Sequence, residues 1–186
     1  IVKSKKNYLI MLFMFFLTMT SSFSNENENG DEKLVSLVLV NKKNKFDDPS
    51  LLLELVSVPR HYHVNDGKEY RINKELLNNF EIMHNMAKRE NLNLRIISAY
   101  RSRDYQNRLY NNSVSKRGLA YANKYIARPG YSEHETGLAI DINSVNLSFE
   151  KTKEYRWLRD NSYKFGFILR YPKGKEEITG YSFEPW

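Results

Sequence analysis

The stretch "GYSEHETGLAIDI", residues 130–142, decides how the rest of the chain is read. In Leu138-Ala139-Ile140-Asp141-Ile142 the branched apolar residues fall on alternate positions, the period of a strand with one buried face. Asp141 is therefore expected to project from the opposite face, beside the small Ala139. Pro129-Gly130 and Gly137 are turn residues that let the chain fold back and bring His134 toward that same face. A converging imidazole and carboxylate supply two of the three protein ligands of a catalytic metal site that keeps one position open.

Composition bounds what such a site can serve. The 186 residues are 41% apolar and 13% aromatic, enough for one substantial core, and no internal repeat asks for a second domain. There is no cysteine, so disulfides, thiolate metal sites and a cysteine nucleophile are excluded. Metal ligands must come from His, Asp and Glu. Lys3, Lys5 and Lys6 precede an apolar run from Tyr8 to Met19 and then Ser21, Ser22 and Ser24, the three-part layout of a secretory signal. The run is short for a membrane span, so residues 1–24 are expected to be a cleaved signal peptide and the only part to meet a membrane. Subtracting its three lysines from the formal +7 leaves +4, too mild and dispersed for nucleic-acid binding. An anionic cell-wall polymer fits an exported chain better.

Residues 25–33 are a polar linker with nothing to bury, and a folded domain is expected over 34–186, continuing past Trp186. Within it, 34–40 and 94–100 read as strands, and 73–90 as an amphipathic helix with Leu76, Phe80, Met83 and Ala87 on one stripe. Ser102 is a good N-cap for a helix to about Lys116, stopped by Gly118. A short helix over 119–126, a strand over 138–142, a helix over 152–165 closed by Gly166, and a last strand over 167–171 follow. Helices and strands mix without regular alternation, which predicts a single α+β domain, a small mostly antiparallel sheet flanked by helices. His61 and His63 stand at i and i+2 beside Asn65-Asp66-Gly67, a hairpin signal, and are expected on one exposed hairpin arm. His84 lies at the edge of the apolar stripe and is expected to pack. The aromatic run from Tyr155 to Phe167 is expected in the core.

Several blocks together resemble one family. "SAYRSRDYQ" (98–106), "ARPGYSEHETGLAIDI" (127–142), "WLRDNSYKFGFILRYPKGKEEITGY" (157–181) and "EPW" (184–186), with "LVLVNKKNK" (37–45), resemble the bacterial zinc D-alanyl-D-alanine carboxypeptidases of the vancomycin-resistance type and their L,D-carboxypeptidase relatives. These sit in a superfamily with lysostaphin-type peptidases and the hedgehog signalling domain, whose fold is then implied here. The resemblance implies His134 and Asp141 as zinc ligands, a third ligand in a histidine directly after Glu-Pro-Trp, and Glu184 as the catalytic base. It also implies that Arg101 faces the scissile carbonyl, that Gln106 binds substrate, and that Ser132 lies near the substrate's terminal carboxylate.

The function so implied is an extracytoplasmic, monomeric zinc carboxypeptidase that removes the terminal D-alanine from peptidoglycan stem peptides. A non-catalytic wall-binding module and a peptidoglycan endopeptidase on the same scaffold stand as alternatives. The choice between D,D and L,D substrates rests on pocket shape and is not legible in the sequence.

Overall fold

Three polar residues set the starts of the main helices. Asn73 accepts the N–H of Glu75 at 2.9 Å and opens α1, Lys74–Arg89. Ser102 accepts the N–H of Tyr105 at 3.2 Å and opens α2, Arg103–Arg117. Thr152 does the same for Tyr155 at 3.1 Å and opens α4, Lys153–Asn161. Each side chain satisfies a donor that the first helical turn leaves without a partner. The short α3, Leu119–Tyr125, follows Gly118, which ends α2 at φ +84. A last single turn, α5, covers Glu176–Thr179.

This computed structural model describes residues 38–48 and 54–186, and Val38–Trp186 is one compact unit. The expected signal segment, the linker and residues 34–37 of the expected first strand lie outside the described residues; 38–40 are described and form no strand. Among the described residues no helix is long and apolar enough to cross a membrane.

The sheet consists of two antiparallel pairs. β1 (Leu55–Ser57) pairs with β2 (Arg71–Asn73) in the register Leu55↔Asn73 and Ser57↔Arg71. β3 (Ile96–Ser98) pairs with β4 (Asp141–Ile142), Ile96 opposite Ile142 and Ser98 opposite Asp141. An isolated parallel bridge sets His63 beside Ile96 of β3, and Tyr100 N–H donates to the Arg71 carbonyl at 2.9 Å, linking the two pairs. The apolar stripe of α1 packs on both, burying Phe80, Met83 and Ala87 against Ile72, Leu94 and Ile96. Trp157 of α4 closes the core, stacked on Phe165 with its indole N–H on Glu90 at 2.7 Å.

Several expectations are corrected. The strand expected over 138–142 holds only Asp141 and Ile142: Leu138 is exposed, and Asn143 turns left-handed at φ +61 and ends the ladder, donating its N–H to the Arg95 carbonyl. Both Asp141 and Ile142 are buried, so β4 has two covered faces where one was expected. The strand expected over 167–171 is a loop with Ile168 exposed, and only Tyr171 pairs, opposite Glu184. His61 and His63 do not share a strand face. Arg60–Tyr62 is a 3-10 turn that leaves His61 exposed, while His63 is buried beside Tyr70 with Nδ1 2.6 Å from the Val64 carbonyl. His84 packs as expected, its Nδ1 2.9 Å from the Leu94 carbonyl. Of the aromatic run, Tyr163 is exposed and leaves the core.

Candidate active site

The β3/β4 ladder is irregular between Ile96 and Ser98, where two residues of β3 are passed for one of β4. Such a bulge re-aims side chains, and here it sets Ser98 against Asp141. Three residues on, Arg101 donates from Nε and Nη2 to Ser98 Oγ, both at 3.3 Å, and its Nη2 lies 3.5 Å from Asp141 Oδ2. Gln106, in the first turn of α2 and fully buried, accepts from Arg101 Nη1 at 3.2 Å and donates to the Ala127 carbonyl at 2.8 Å. The guanidinium is therefore tied on both sides.

His134 arrives from the loop that precedes β4. Its backbone carbonyl accepts the Arg101 N–H at 3.0 Å, and its Nδ1 lies 2.8 Å from the Ala99 carbonyl. A carbonyl only accepts, so Nδ1 donates to it and Nε2 is left to the cavity. That Nε2 faces Asp141 Oδ1 at 3.5 Å. The loop is held from below. Glu135, 2% exposed, takes the Gly130 N–H at 2.7 Å and Arg103 Nε at 3.1 Å. Gly137, at φ +76, brings its carbonyl to the Asn73 N–H at 3.0 Å; a Cβ there would sit 2.5 Å from Leu55 Cδ2.

Residues 184–186 complete the wall. Glu184 N–H donates to the Tyr171 carbonyl and Ile142 N–H to the Trp186 carbonyl, each at 3.0 Å. Glu184 thus enters the same cavity as His134 and Asp141, a volume of about 670 Å³ that Arg101, Gln106 and Ser132 also line. All six residues singled out in the sequence meet there. Ser132 is buried on the approach to the 3-10 turn Glu133–Thr136.

The charges are tuned apart. Burial works against the Asp141 carboxylate, yet the His134 and Arg101 side chains and the Ser98 hydroxyl together hold it below its ordinary range. Glu184 goes the other way: burial first and Asp141 second push its pKa up to about 7. Burial likewise lowers the Arg101 guanidinium, against the pull of Asp141. Two carboxyl groups in one cavity with opposite shifts form an acid/base arrangement. His134 and Asp141 are the pair able to hold a cation; among the described residues no third His, Cys, Asp or Glu joins them in a cluster.

Sequence reasoning gave no role to Glu133 and the residues it holds. Tyr171 Oη donates to Glu133 Oε2 at 2.8 Å and Arg170 Nε pairs with Oε1, all three lining the cavity. The only signal was the place of Glu133 directly before His134. Tyr181, buried in the same wall, is pushed up to about 12, first by burial and then by Glu133, so its phenol stays neutral. Among the described residues no buried side-chain polar atom lacks a partner.

Comparison with known proteins agrees with this arrangement. The sequence profile of VanY, D-alanyl-D-alanine carboxypeptidase, matches residues 69–186. The YodJ protein of Bacillus subtilis (strain 168) is 42% identical over 159 residues, 81% of this chain and 58% of that protein. The chain thus spans less than two thirds of its curated relatives' length, 58% here and 62% for the D-alanyl-D-alanine carboxypeptidase of Enterococcus faecalis. Among solved structures, the LdcB LD-carboxypeptidase matches at TM-score 0.72 and 40% identity, over 80% of this chain and 72% of that one. A mutant of the vancomycin-resistance D,D-pentapeptidase VanY, solved in complex with Zn(II), matches at TM-score 0.60 and 34% identity, over 81% and 85%. With the profile covering most of the chain and a cavity that gathers the residues of its matching blocks, this chain belongs to the VanY D-alanyl-D-alanine carboxypeptidase family.

Proposed function

We propose that this chain is the catalytic domain of an extracytoplasmic zinc carboxypeptidase that removes the C-terminal D-alanine from peptidoglycan stem peptides. One observation carries the reading. His134 Nε2 and Asp141 Oδ1 face each other across the cavity wall at 3.5 Å. That span is long for a direct hydrogen bond. Two ligands at about 2.0–2.1 Å from one tetrahedral zinc ion stand about 3.3 Å apart, so the pair fits that ion. His134 Nδ1 on the Ala99 carbonyl is the outer bond that orients such a ligand. The Ile142–Trp186 hydrogen bond starts the residue after Trp186 beside Asp141, where the family's third ligand, a histidine, would close the site.

When bound, zinc supplies Lewis acidity that makes a water nucleophilic near neutral pH. Glu184 takes the proton from the attacking water and hands it to the leaving amine; a carboxyl poised near 7 can do both. Arg101, tied to Ser98 and Gln106, points a fixed guanidinium at the charge that grows on the carbonyl oxygen. Gln106 serves mainly by positioning Arg101, and Ser132 meets the terminal carboxylate of the peptide. Residues 1–24 would direct export and the polar linker would precede the folded domain.

The deciding experiment is D-alanine release by the zinc-loaded protein from a stem pentapeptide and a stem tetrapeptide. Release from either establishes the hydrolase, and the better substrate settles D,D against L,D preference. No release from both, with zinc bound, rejects catalysis in favour of a wall-binding module.

A further inference from the structure

A second, smaller cavity of about 210 Å³ adjoins the first. Lys42, Asn123, Ile126, Arg128, Tyr131 and Tyr181 line it, and Ile126, Tyr131 and Tyr181 also line the larger cavity. The two spaces share a wall. Lys42 is placed there by construction of the chain around it. Val40 and Phe46 are buried anchors on either side, Asn41 Oδ1 takes the N–H groups of Lys43 and Asn44 at 2.8 and 2.9 Å, and Phe46 N–H bonds the Gly130 carbonyl at 2.7 Å. Arg128 is placed by the Pro129-Gly130 turn, closed by Tyr131 N–H on the Arg128 carbonyl at 2.9 Å with Gly130 at φ +87.

Among the described residues these two cations face the aromatic wall and no carboxylate. Lys42 Nζ lies 4.2 Å over the Tyr181 ring and Arg128 Cζ 5.2 Å from the centre of the Tyr131 ring. Among the described residues neither makes an ion pair with a carboxylate, whereas Lys45, Lys68, Lys173, Arg103 and Arg170 each do. Burial first, and the charge of Arg128 second, hold the Lys42 ammonium below its ordinary pKa. Two like charges side by side on a half-covered concavity, with no carboxylate against them among the described residues, favour an anionic ligand.

We propose that Lys42 and Arg128 form an anion subsite that takes a second carboxylate of the substrate peptide, upstream of the bond being cut. The leaving residue carries a single carboxylate, its C-terminal one, so any further carboxylate that reaches the neighbouring cavity lies on the retained part of the peptide. The inference rests on the peptidase reading, since that reading says which molecule spans the shared wall.

Two peptides ending in D-alanine test it, alike except that an internal acidic residue is free in one and amidated in the other. Calorimetry on the metal-free full chain reads binding without hydrolysis. The acid should bind about tenfold tighter than the amide at low salt, the scale of one favourable charge contact. Lys42→Met and Arg128→Met should each remove most of that preference, and the double variant all of it. Lys43→Met, at the exposed neighbouring position, should change nothing. In the zinc-loaded enzyme the same variants should raise KM for the acidic peptide and leave kcat alone. Equal binding of the two peptides, or a preference that survives in the double variant, overturns the subsite. Inorganic phosphate that competes only in the wild type, with no preference for the acid, assigns the cavity to polymer phosphate and also overturns it. A preserved preference without any hydrolysis sinks the peptidase reading and leaves the subsite standing.

Discussion

Ile142 donates its N–H to the carbonyl of Trp186 at 3.0 Å, and the side chain next to Ile142 on β4 is Asp141. Whatever follows Trp186 therefore starts next to a proposed ligand. Adding a histidine directly after Trp186 should raise zinc affinity at least tenfold over the chain ending at Trp186, as a third donor restores the chelate. Competition with a chromophoric chelator measures it. The same gain in a His134→Ala background would show that the added imidazole binds elsewhere.

His134→Ala and Asp141→Ala should each remove most bound zinc and spare the fold, because both side chains end at the cavity wall. Replacing His61 and His63 with alanine should leave the zinc content unchanged, since His61 is exposed on its turn and His63 is buried away from it. The double variant should nonetheless melt lower, through lost packing of His63 on Tyr70, whose ring centres are 4.7 Å apart. Elemental analysis and a thermal melt separate the two effects.

Glu184→Gln should keep zinc and lose on the order of a hundredfold or more in turnover, the scale of a removed acid/base group. Arg101→Ala should lower turnover similarly by withdrawing charge stabilisation. Arg101→Lys should recover little, because one ammonium cannot reach Ser98 Oγ and Gln106 Oε1 together as the guanidinium does. Near-native D-alanine release by any of the three would reject that residue's role.

Glu184 also fixes a pH dependence of stability. Its folded pKa of about 7 lies above the ordinary value of 4.5, so between those values the folded state holds the proton more firmly than the unfolded one. The carboxyl costs nothing below pH 4.5; a penalty grows as pH rises to about 7 and stays constant above, at most about 3 kcal/mol. Denaturant unfolding of the metal-free protein across pH 4–8 should show this loss, and Glu184→Gln should flatten it. Zinc should shrink the penalty as well, since the cation favours the carboxylate. A metal-free protein equally stable at pH 5 and pH 8, with Glu184→Gln making no difference, would contradict the burial of this group.

The helices were legible because their signals are local. Asn73, Ser102 and Thr152 stand where a cap is needed, Gly118 and Gly166 where a stop is needed, and each acts on residues two to four positions away. The strands were less so. Alternation over 138–142 promised five residues, but the left-handed turn at Asn143 depends on its bonds to Asn93 and Arg95, far back in the chain. His61 and His63 misled for the same reason: which face each presents is set by the bridge from His63 to Ile96. The six residues of the site could be gathered from sequence only through family resemblance, since no spacing rule joins Arg101, His134 and Glu184. Glu133 with Arg170 and Tyr171, and Lys42 with Arg128, had no local signature and became visible only as neighbours in space.

Gly137 has a bearing on how the molecule comes to be folded. Its missing Cβ admits Leu55, and its carbonyl receives the N–H of Asn73, so the loop carrying His134 is seated on a hairpin that was synthesised much earlier. His134 itself leans on Ala99, and Asp141 on Ser98. The contacts that seat this loop on Asn73, Ala99 and Ser98 are thus between distant parts of the chain, the kind that closes late in folding because loop entropy must be overcome first. Capture of a metal ion by refolding protein should therefore trail the appearance of helical circular dichroism, and the interval between them times the closure of the catalytic loop onto its hairpin.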